Sequence, residues 1–315
     1  MKASPLNSVF DGLMYSFVAD SREVCSYILN NGQECLMYKK GMRLPDNCVN
    51  VQTSVEHFLS LESTASLSPV SKILTIPLVA FDNSFECFKY LFHQLQNCDF
   101  LNVYSEYKRL MSTFKDVGPR FSVTSDPNIH LTCHFGEKVS FSYPKNVAIS
   151  KGKIRSVAEY FEVNFNHLYP DLPSPFELNG KFRFSSCLYA IHPSTNDISS
   201  KQLKCAKKLF KDTYQSNNCI MVIEKNNIKS FKIDDVERVD DVVTIAGNSR
   251  KSTITEFAFG LNSDIYEHIN WSYNSQINEG CSGIHLGVGD GKTGIHMDFI
   301  SPVKNDKALI VKELD

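Results

Sequence analysis

Apolar residues recur at helical spacing behind three serines in the N-terminal third of the chain. A serine hydroxyl accepts a hydrogen bond from a free backbone amide at the start of a helix, so each serine is a candidate N-cap. We therefore predict helices that begin after Ser21, Ser54 and Ser84.

Continuous apolar runs separate these helices. Ile73–Phe81 predicts a buried strand, and Phe100–Tyr104 predicts a second strand that leads into a helix over Arg109–Phe114. Strands that alternate with helices are typical of α/β domains. We expect residues 1–119 to form an N-terminal α/β domain.

From Arg120 onward, strict alternation of apolar and polar residues replaces helical spacing. In NIHLTCHF this alternation predicts a strand that carries His130 and His134 on one face, either as a metal-binding pair or as ordinary polar residues. We expect residues 120–315 to form a C-terminal α+β domain. Its other predicted elements are a tight turn at Asn179–Gly180, a helix over Ser199–Tyr214, a hairpin over Cys219–Ile233 and a VVTIA strand within Val236–Ala246.

Four ionisable residues lie in short apolar segments near the carboxyl terminus: Glu256 in TITEFAFGLN, His285 in GIHLGVG, and His296 and Asp298 in GIHMDFIS. Residues two apart in a strand share a face, so His296 and Asp298 point the same way. Buried carboxylates and imidazoles need a partner, and two histidines with carboxylates suit zinc, cobalt, manganese or iron. The sequence therefore predicts a metal site here, with ordinary hydrogen-bonded buried histidines as the alternative.

The run GVGDGKTG superficially resembles a phosphate-binding loop, but Leu286 occupies the position where that motif requires its first glycine. A phosphate-binding loop also opens a helix, whereas this run leads into a strand-like segment. We predict a tight glycine hairpin that brings His285 and His296 together.

The order of these motifs resembles the AmpS-type thermophilic metallo-aminopeptidase family and its relatives, including 2,5-dihydroxypyridine dioxygenase-like proteins. That family has a glutamate, a histidine in an HIALG-like strand and a closing HxD pair. The resemblance implies an α/β, two-domain aminopeptidase-like architecture with a C-terminal mixed-sheet metal-site domain. It also implies that Glu256, His285, His296 and Asp298 are ligands of a divalent metal, namely zinc, cobalt or manganese.

The resembling family carries a further glutamate on an earlier strand. RSVAEYFEV fits the outline of that strand, and we predict that Glu159 is the corresponding glutamate ligand and the catalytic residue. Glu162 is the rival that a shift in strand register would select, and the alternative for both is a solvated surface acid.

Two departures from the family put its peptidase chemistry in doubt. Its catalytic tyrosine lies seven positions after the HIALG histidine, where this chain has Lys292, and the lysine of its DEK motif is replaced by Gly280 after Glu279. We favour a metal-dependent hydrolase that acts on a peptide or small amide substrate. The alternatives are a non-catalytic homologue that binds a peptide or a partner, and a mononuclear non-haem iron oxygenase, which would hold iron.

Composition narrows the partners. The 315 residues are 42% hydrophobic and 22% charged with a net charge of −2, so no basic excess indicates nucleic acid as a partner. No segment is apolar enough for a membrane span or a signal peptide, which predicts no membrane partner and a cytoplasmic location. The ten cysteines form no CxxC pair and are expected to be reduced thiols. The family resemblance also implies a homodimer, or a heterodimer with a related chain.

Overall fold

The computed structural model describes residues 4–62, 68–125, 128–137, 139–142, 145–163, 174–247, 251–304 and 309–314. These ranges contain six α-helices. The helices are α1 (Arg22–Asn30), α2 (Val55–Glu62), α3 (Phe85–Asn97), α4 (Phe100–Asp116), α5 (Ser200–Gln215) and α6 (Val239–Ala246).

The N-terminal sheet has five strands in the order β2-β1-β3-β4-β8, and each neighbouring pair is parallel. Its last strand comes from beyond residue 119, so this sheet draws on both sides of the predicted domain boundary, which stays a prediction. The strands are β1 (Ser16–Ala19), β2 (Cys35–Met37), β3 (Asn47–Val51), β4 (Lys72–Ile76) and β8 (Lys153–Ser156).

A seven-stranded sheet has the order β14-β13-β12-β10-β6-β5-β18, and its paired strands run antiparallel. The strands are β5 (Arg120–Ser125), β6 (Ile129–Phe135), β10 (Phe176–Phe184), β12 (Cys219–Glu224), β13 (Asn227–Ile233), β14 (Val236–Glu237) and β18 (Ile310–Glu313).

A six-stranded antiparallel sheet, in the order β11-β17-β16-β15-β9-β7, carries the predicted site. The strands are β7 (Phe141–Ser142), β9 (Tyr160–Val163), β11 (Ser186–Ala190), β15 (Ile254–Gly260), β16 (Gly283–Val288) and β17 (His296–Pro302).

The two antiparallel sheets enclose one aromatic core. Phe257 and Phe299 of the six-stranded sheet belong to the same buried cluster as Phe182 and Phe231 of the seven-stranded sheet. Side chains alternate across a strand, so the residues next to Phe257 and next to Phe299 in the sequence point to the opposite face of the six-stranded sheet. That opposite face meets the N-terminal part of the molecule.

The predicted helix starts are confirmed. Ser21 and Ser84 accept hydrogen bonds from the backbone amides of Val24 and Cys87. Ser54 accepts one from His57 at the start of α2. Helix α5 and the β12–β13 hairpin also form where the spacing predicts them.

The predicted strand at Phe100–Tyr104 is wrong. These residues open α4, which continues to Asp116 without a break, and Asp99 caps it by accepting from the amides of Leu101 and Asn102. The run FLNVY is rich in residues that favour strands, which led to the wrong prediction. The buried residues of the helix recur every three or four positions. These residues are Phe100, Val103, Tyr107, Leu110 and Phe114.

Two other apolar runs are also predicted incorrectly. The strand expected over Ile73–Phe81 ends at Ile76, since Pro77 has no amide proton for the ladder, and a short 3-10 helix follows. The VVTIA segment lies in α6, which buries Val242, Ile245 and Ala246 on one face. A short β-branched run is ambiguous because helix and strand can both bury it.

No turn forms at Asn179–Gly180. Both residues lie inside β10 and pair with Thr132 and Leu131 of β6. Gly180 has a φ of 131°, and a Cβ atom there would overlap the carbonyl oxygen of His130. The glycine therefore allows β10 and β6 to approach closely. In the sequence alone, a glycine with this role cannot be told from one that forms a turn.

Several other features of the described ranges bear on function. None of their helices combines the length and apolar character needed to cross a bilayer. All ten cysteines are free thiols, and nine of them are buried. Cys281 packs in the core of the N-terminal part. His130 and His134 share the exposed face of β6, as the alternation predicts.

Candidate metal centre

Three neighbouring strands place the predicted ligands in adjacent positions. Glu256 on β15 lies opposite Gly287 on β16, which lies opposite Asp298 on β17. His285 and His296 are two residues from these positions on the same face. The four residues therefore converge on the face opposite the aromatic core.

Glu256 joins the two histidines. Its Oε1 atom is 2.8 Å from His285 Nε2, and its Oε2 atom is 3.1 Å from His296 Nε2. His296 Nε2 is also 3.0 Å from Asp298 Oδ1. All four side chains are buried, so their charges are poorly screened by water.

The ring of His296 is oriented by the backbone. Its Nδ1 atom is 3.0 Å from the carbonyl oxygen of Gly289, which can only accept, so Nδ1 carries the proton. In a neutral ring Nε2 would then direct a lone pair at the carboxylates of Glu256 and Asp298. A proton or a metal ion between these atoms removes the conflict, and a histidine held this way is typical of metal sites.

Gly287 leaves the space into which these side chains converge. A Cβ atom at this position would lie 2.8 Å from Glu256 Cβ, 2.9 Å from His296 Cε1 and 3.0 Å from Asp298 Oδ1. These distances are too short for ordinary contacts, so only glycine fits without displacing a ligand.

The hairpin between β16 and β17 is confirmed, and Asp290 builds it. The Asp290 carboxylate accepts hydrogen bonds from the backbone amides of Lys292, Thr293 and Gly294. A phosphate-binding loop would direct such amides at an anion, whereas here a side chain already occupies them. Lys292 itself is exposed in this turn.

Two further buried carboxylates surround the set. Glu162 on β9 and Glu279 in a short 3-10 helix interact electrostatically with Glu256 and Asp298. Burial and these like charges raise the pKa of both carboxyl groups well above the ordinary value. Burial lowers the pKa of His296, but Asp298 and Glu256 outweigh burial and raise it well above its ordinary value.

The donor set fits a divalent metal ion. Ligand atoms of Glu256, His285 and Asp298 lie within 4.8 Å of one another. His285 Nδ1 is buried and has no hydrogen-bond partner among the described residues. Four acidic residues and two histidines therefore lie together, and carboxylate and imidazole groups of this kind can hold a divalent cation.

Two clefts reach the cluster from different directions. A junction cleft of about 280 Å³ separates Phe58 and Pro77 of the N-terminal part from Glu279, His296 and Asp298. A larger groove of about 570 Å³ is lined by β8 and by Glu159, Tyr160 and Glu162. Tyr160 lines both clefts.

A comparison with known families gives the chain's relationship. Residues 13–306 match the family described as Crocagin biosynthetic protein CgnE/B. The chain belongs to this family. No curated protein matches it.

The CgnE/B chain is similar in fold to AmpT from Thermus thermophilus. The two share 9% identity, the match covers 98% of this chain and 95% of AmpT, and the TM-score is 0.50. This similarity confirms the α/β, aminopeptidase-like fold. The 2,5-dihydroxypyridine dioxygenase from Pseudomonas putida KT2440 shares 8% identity over 93% of this chain and 88% of that protein, with a TM-score of 0.47.

Glu159 and Glu162 have different surroundings in the CgnE/B chain. The Glu159 carboxylate forms an ion pair with Arg155, and its pKa is raised by burial although Arg155 opposes this. Glu162 faces the predicted ligands, because Ala258 beside it on β15 lies between Glu256 and Gly260 on the same face. The catalytic role of Glu159 stays a prediction.

Tyr160 and Glu279 lie at this site but are not predicted as site residues from the sequence. The Tyr160 ring packs edge-on against His285, with ring centroids 5.0 Å apart and planes at 80°. Tyr160 and Glu162 alternate with Phe161 and Val163, which are fully buried. That alternation, read as a strand, places both polar residues on one face and is the signal that could have found them.

Proposed function

We propose that this CgnE/B-family protein binds a divalent metal ion and acts as a hydrolase on a peptide or small amide in the biosynthesis of a crocagin-like product. One observation carries the proposal. The buried residues Glu256, His285 and Asp298 place ligand atoms within 4.8 Å of one another, with His296 in contact with both carboxylates, and this is the kind of donor set that binds a divalent ion.

The chain's own residues would divide the work. Glu256, His285, His296 and Asp298 hold the ion, and Gly289 keeps the His296 ring in the ligating orientation. When bound, a divalent ion lowers the pKa of a water molecule toward neutrality and polarises a carbonyl group. A carboxylate beside the ligands takes the proton of that water.

Glu279 and Glu162 are better candidates for this proton acceptor than Glu159. Glu279 lines the junction cleft together with Asp298, whereas the Glu159 carboxylate is held by Arg155. A carboxylate whose pKa is raised by burial is a stronger base, which suits proton transfer near neutral pH. We propose Glu279 as the acceptor.

The clefts support a peptide or amide substrate. The junction cleft is lined by apolar side chains such as Phe58 and Phe81 and ends at the acidic cluster. Ligand sites are commonly found between the two parts of a protein, with apolar walls and a few polar groups. A second copy or a related chain as dimer partner stays a prediction.

Metal binding tests the proposal directly. Protein purified without chelators should contain zinc, cobalt or manganese by elemental analysis, and titration of Zn²⁺ into the metal-free protein should give a stoichiometric binding curve. We expect His285→Ala and Asp298→Ala to weaken Zn²⁺ binding by at least about 100-fold. His130→Ala, which changes an exposed histidine on β6, is the matched control and should bind as tightly as wild type.

A second candidate function is peptide binding without turnover. Two observations support it. Lys292 and Gly280 replace the tyrosine and lysine of the resembling family. Glu256 contacts both His285 and His296, so these side chains already bind one another. Such a protein would bind a peptide equally well with or without EDTA, and Asp298→Ala would bind like wild type.

Metal content and activity separate the candidates. Hydrolysis of leucine p-nitroanilide that needs added zinc, cobalt or manganese supports the hydrolase. One iron per chain with oxygen consumption favours the oxygenase alternative instead. Peptide binding without metal and without turnover rejects both enzymes.

A further inference from the structure

We propose that Tyr90 is a positioning residue of the candidate site. From helix α3, its hydroxyl group docks residues 270–280 onto the N-terminal part of the molecule and so holds Glu279 in the junction cleft. This inference rests on the proposed hydrolase function, in which Glu279 accepts the proton.

Glu279 comes from a long connection between β15 and β16, not from the sheet that carries the ligands. The connection packs on the N-terminal part, where Ile265 and Ile277 belong to the same buried cluster as Phe88 of α3. Trp271 packs against this cluster from the same connection. The position of Glu279 therefore depends on how the connection docks on α3.

The 3-10 helix at the end of this connection, Gln276–Gly280, has two sides with different contacts. Residues three apart are eclipsed in a 3-10 helix, so Gln276 and Glu279 share a side, and both line the junction cleft. Between them, Ile277 and Asn278 are fully buried. The backbone that carries Glu279 can therefore be held from the side of Asn278.

Tyr90 holds this backbone through a hydrogen-bond network. Its hydroxyl donates to Asn278 Oδ1 at 2.7 Å and accepts from the backbone amide of Asn270 at 3.0 Å. The side-chain amide of Asn278 donates in turn to the carbonyl oxygens of Asn270 and Tyr273. The Tyr90 ring stacks on Tyr273 with ring centroids 4.8 Å apart. One hydroxyl from α3 thus joins three residues of the connection, the last of which directly precedes Glu279.

Loss of this hydroxyl should affect Glu279 more than the ligands. Asn278 is fully buried, so its Oδ1 atom would lose its donor where water cannot easily replace it. A small displacement of a group that takes part in the reaction lowers the rate strongly. The ligands lie on β15, β16 and β17, outside this network. The hydroxyl should therefore matter for proton transfer and not for metal binding.

A docking measurement tests the inference without turnover. Tyr90→Phe removes the hydroxyl and keeps the ring that stacks on Tyr273. Trp271 is the one tryptophan of the chain, so its fluorescence reports on the connection. We expect acrylamide to quench Trp271 at least about twofold more strongly in Tyr90→Phe, and amide exchange in residues 270–280 to be at least about tenfold faster.

The matched control for docking is Tyr27→Phe. This tyrosine packs edge-on against Phe88 of α3, and among the described residues its hydroxyl forms no hydrogen bond with the connection. Quenching and exchange should stay like those of wild type in this variant.

Turnover tests whether Tyr90 acts through Glu279. With zinc-loaded protein and leucine p-nitroanilide, Tyr90→Phe should lower kcat by about 10–100-fold, while KM and Zn²⁺ affinity change less than about twofold. In a Glu279→Gln background, Tyr90→Phe should lower kcat by less than about twofold further, because the two residues act as one unit. A hydroxyl that only stabilises the fold would give no such loss of kcat at constant KM.

The outcomes separate this inference from the hydrolase. Unchanged quenching and exchange in Tyr90→Phe would overturn the docking role whether or not the protein is a hydrolase. Stronger quenching with an unchanged kcat would overturn the link to Glu279 and leave the hydrolase intact. A zinc-loaded wild type without turnover rejects the hydrolase, and with it the role of Tyr90 in proton transfer.

Discussion

Two buried groups in this protein pair a carboxylate with an imidazole, and they are built differently. In the N-terminal sheet, Asp20 follows β1, and its Oδ2 atom lies 3.5 Å from Nδ1 of His57. In the six-stranded sheet, Glu256 contacts both His285 and His296. The first group has one carboxylate, and the second has four.

In the N-terminal group, the protein itself satisfies the Asp20 carboxylate. The Asp20 carboxylate accepts hydrogen bonds from the backbone amides and hydroxyls of both Thr53 and Ser54. Tyr38 stacks on His57 with ring centroids 3.8 Å apart. Burial alone would raise the pKa of Asp20, but its contact with His57 and these hydrogen bonds hold the pKa well below its ordinary value.

The C-terminal group is joined by contacts between carboxylates and imidazoles. Burial and the charges of Glu256 and Asp298 raise the pKa of Glu162 and of Glu279. A carboxylate held by neutral donors indicates a structural role, whereas buried carboxylates grouped with imidazoles at ligand spacing indicate a place for a cation. The following changes should therefore affect the two groups in opposite ways.

The largest effect is expected in the N-terminal group. Asp20→Ala leaves His57 and the amides after β3 without their acceptor, and should lower the free energy of unfolding by about 3–5 kcal/mol. Urea denaturation measures this loss. Asp46→Ala, which removes an exposed partner of Arg43, should cost less than about 1 kcal/mol. If Asp20→Ala cost as little as Asp46→Ala, the proposed contrast between the two groups would be wrong.

Gly287→Ala should damage the C-terminal group. The added methyl meets Glu256, His296 and Asp298, so we expect a loss of about 1–3 kcal/mol in stability. Zn²⁺ affinity should fall by about 10–100-fold, as for changes that displace a ligand. In the control Gly118→Ala, the methyl meets only the flexible end of Glu313, and both quantities should stay near those of wild type.

Acid should weaken the N-terminal group in a defined range. Because the pKa of Asp20 is lowered on folding, its contribution is complete above the ordinary aspartate pKa of about 3.9 and is lost as the pH falls toward the folded value. Wild-type stability should therefore fall more steeply below pH ~4 than that of Asp20→Asn, by up to about 1.4 kcal/mol per pH unit. Urea titrations at several pH values test this; parallel curves would contradict it.

The smallest effect separates folding from binding. In metal-free protein, Glu162→Gln replaces an acid whose ionised form is disfavoured by burial and by Glu256 and Asp298, so stability should change by less than about 1 kcal/mol or rise. The same substitution in zinc-loaded protein should lower the gain in melting temperature that zinc provides. A large loss of stability without metal would mean that Glu162 is a structural residue like Asp20.

Local signals predict part of this fold. The serine caps at Ser21 and Ser84, and the hairpin before His296, depend on neighbouring residues only, and the structure has them as predicted. The predictions at Phe100 and Val242 fail because a short apolar run can be buried by a helix or by a strand. Which of the two forms depends on packing partners far away in the sequence.

In the candidate site, too, only the features that depend on neighbouring residues could be predicted. The HxD pair fixes its own geometry through alternation on one strand, so His296 and Asp298 could be found from the sequence. Tyr160, Glu162 and Glu279 join them only through strand pairing and the fold of a separate 3-10 helix. To choose between Glu159 and Glu162, one must know the register of β9 against β15. The sequence alone does not give this register.

The position of β8 in the N-terminal sheet affects how this protein can emerge from the ribosome. The strand that completes the parallel sheet lies at Lys153–Ser156, after two strands of the seven-stranded sheet have been synthesised. A nascent chain that ends near residue 119 therefore lacks one edge of its first sheet, and its strand β4 presents open backbone groups. The first sheet can therefore be completed only once Ser156, about halfway along the chain, has been synthesised.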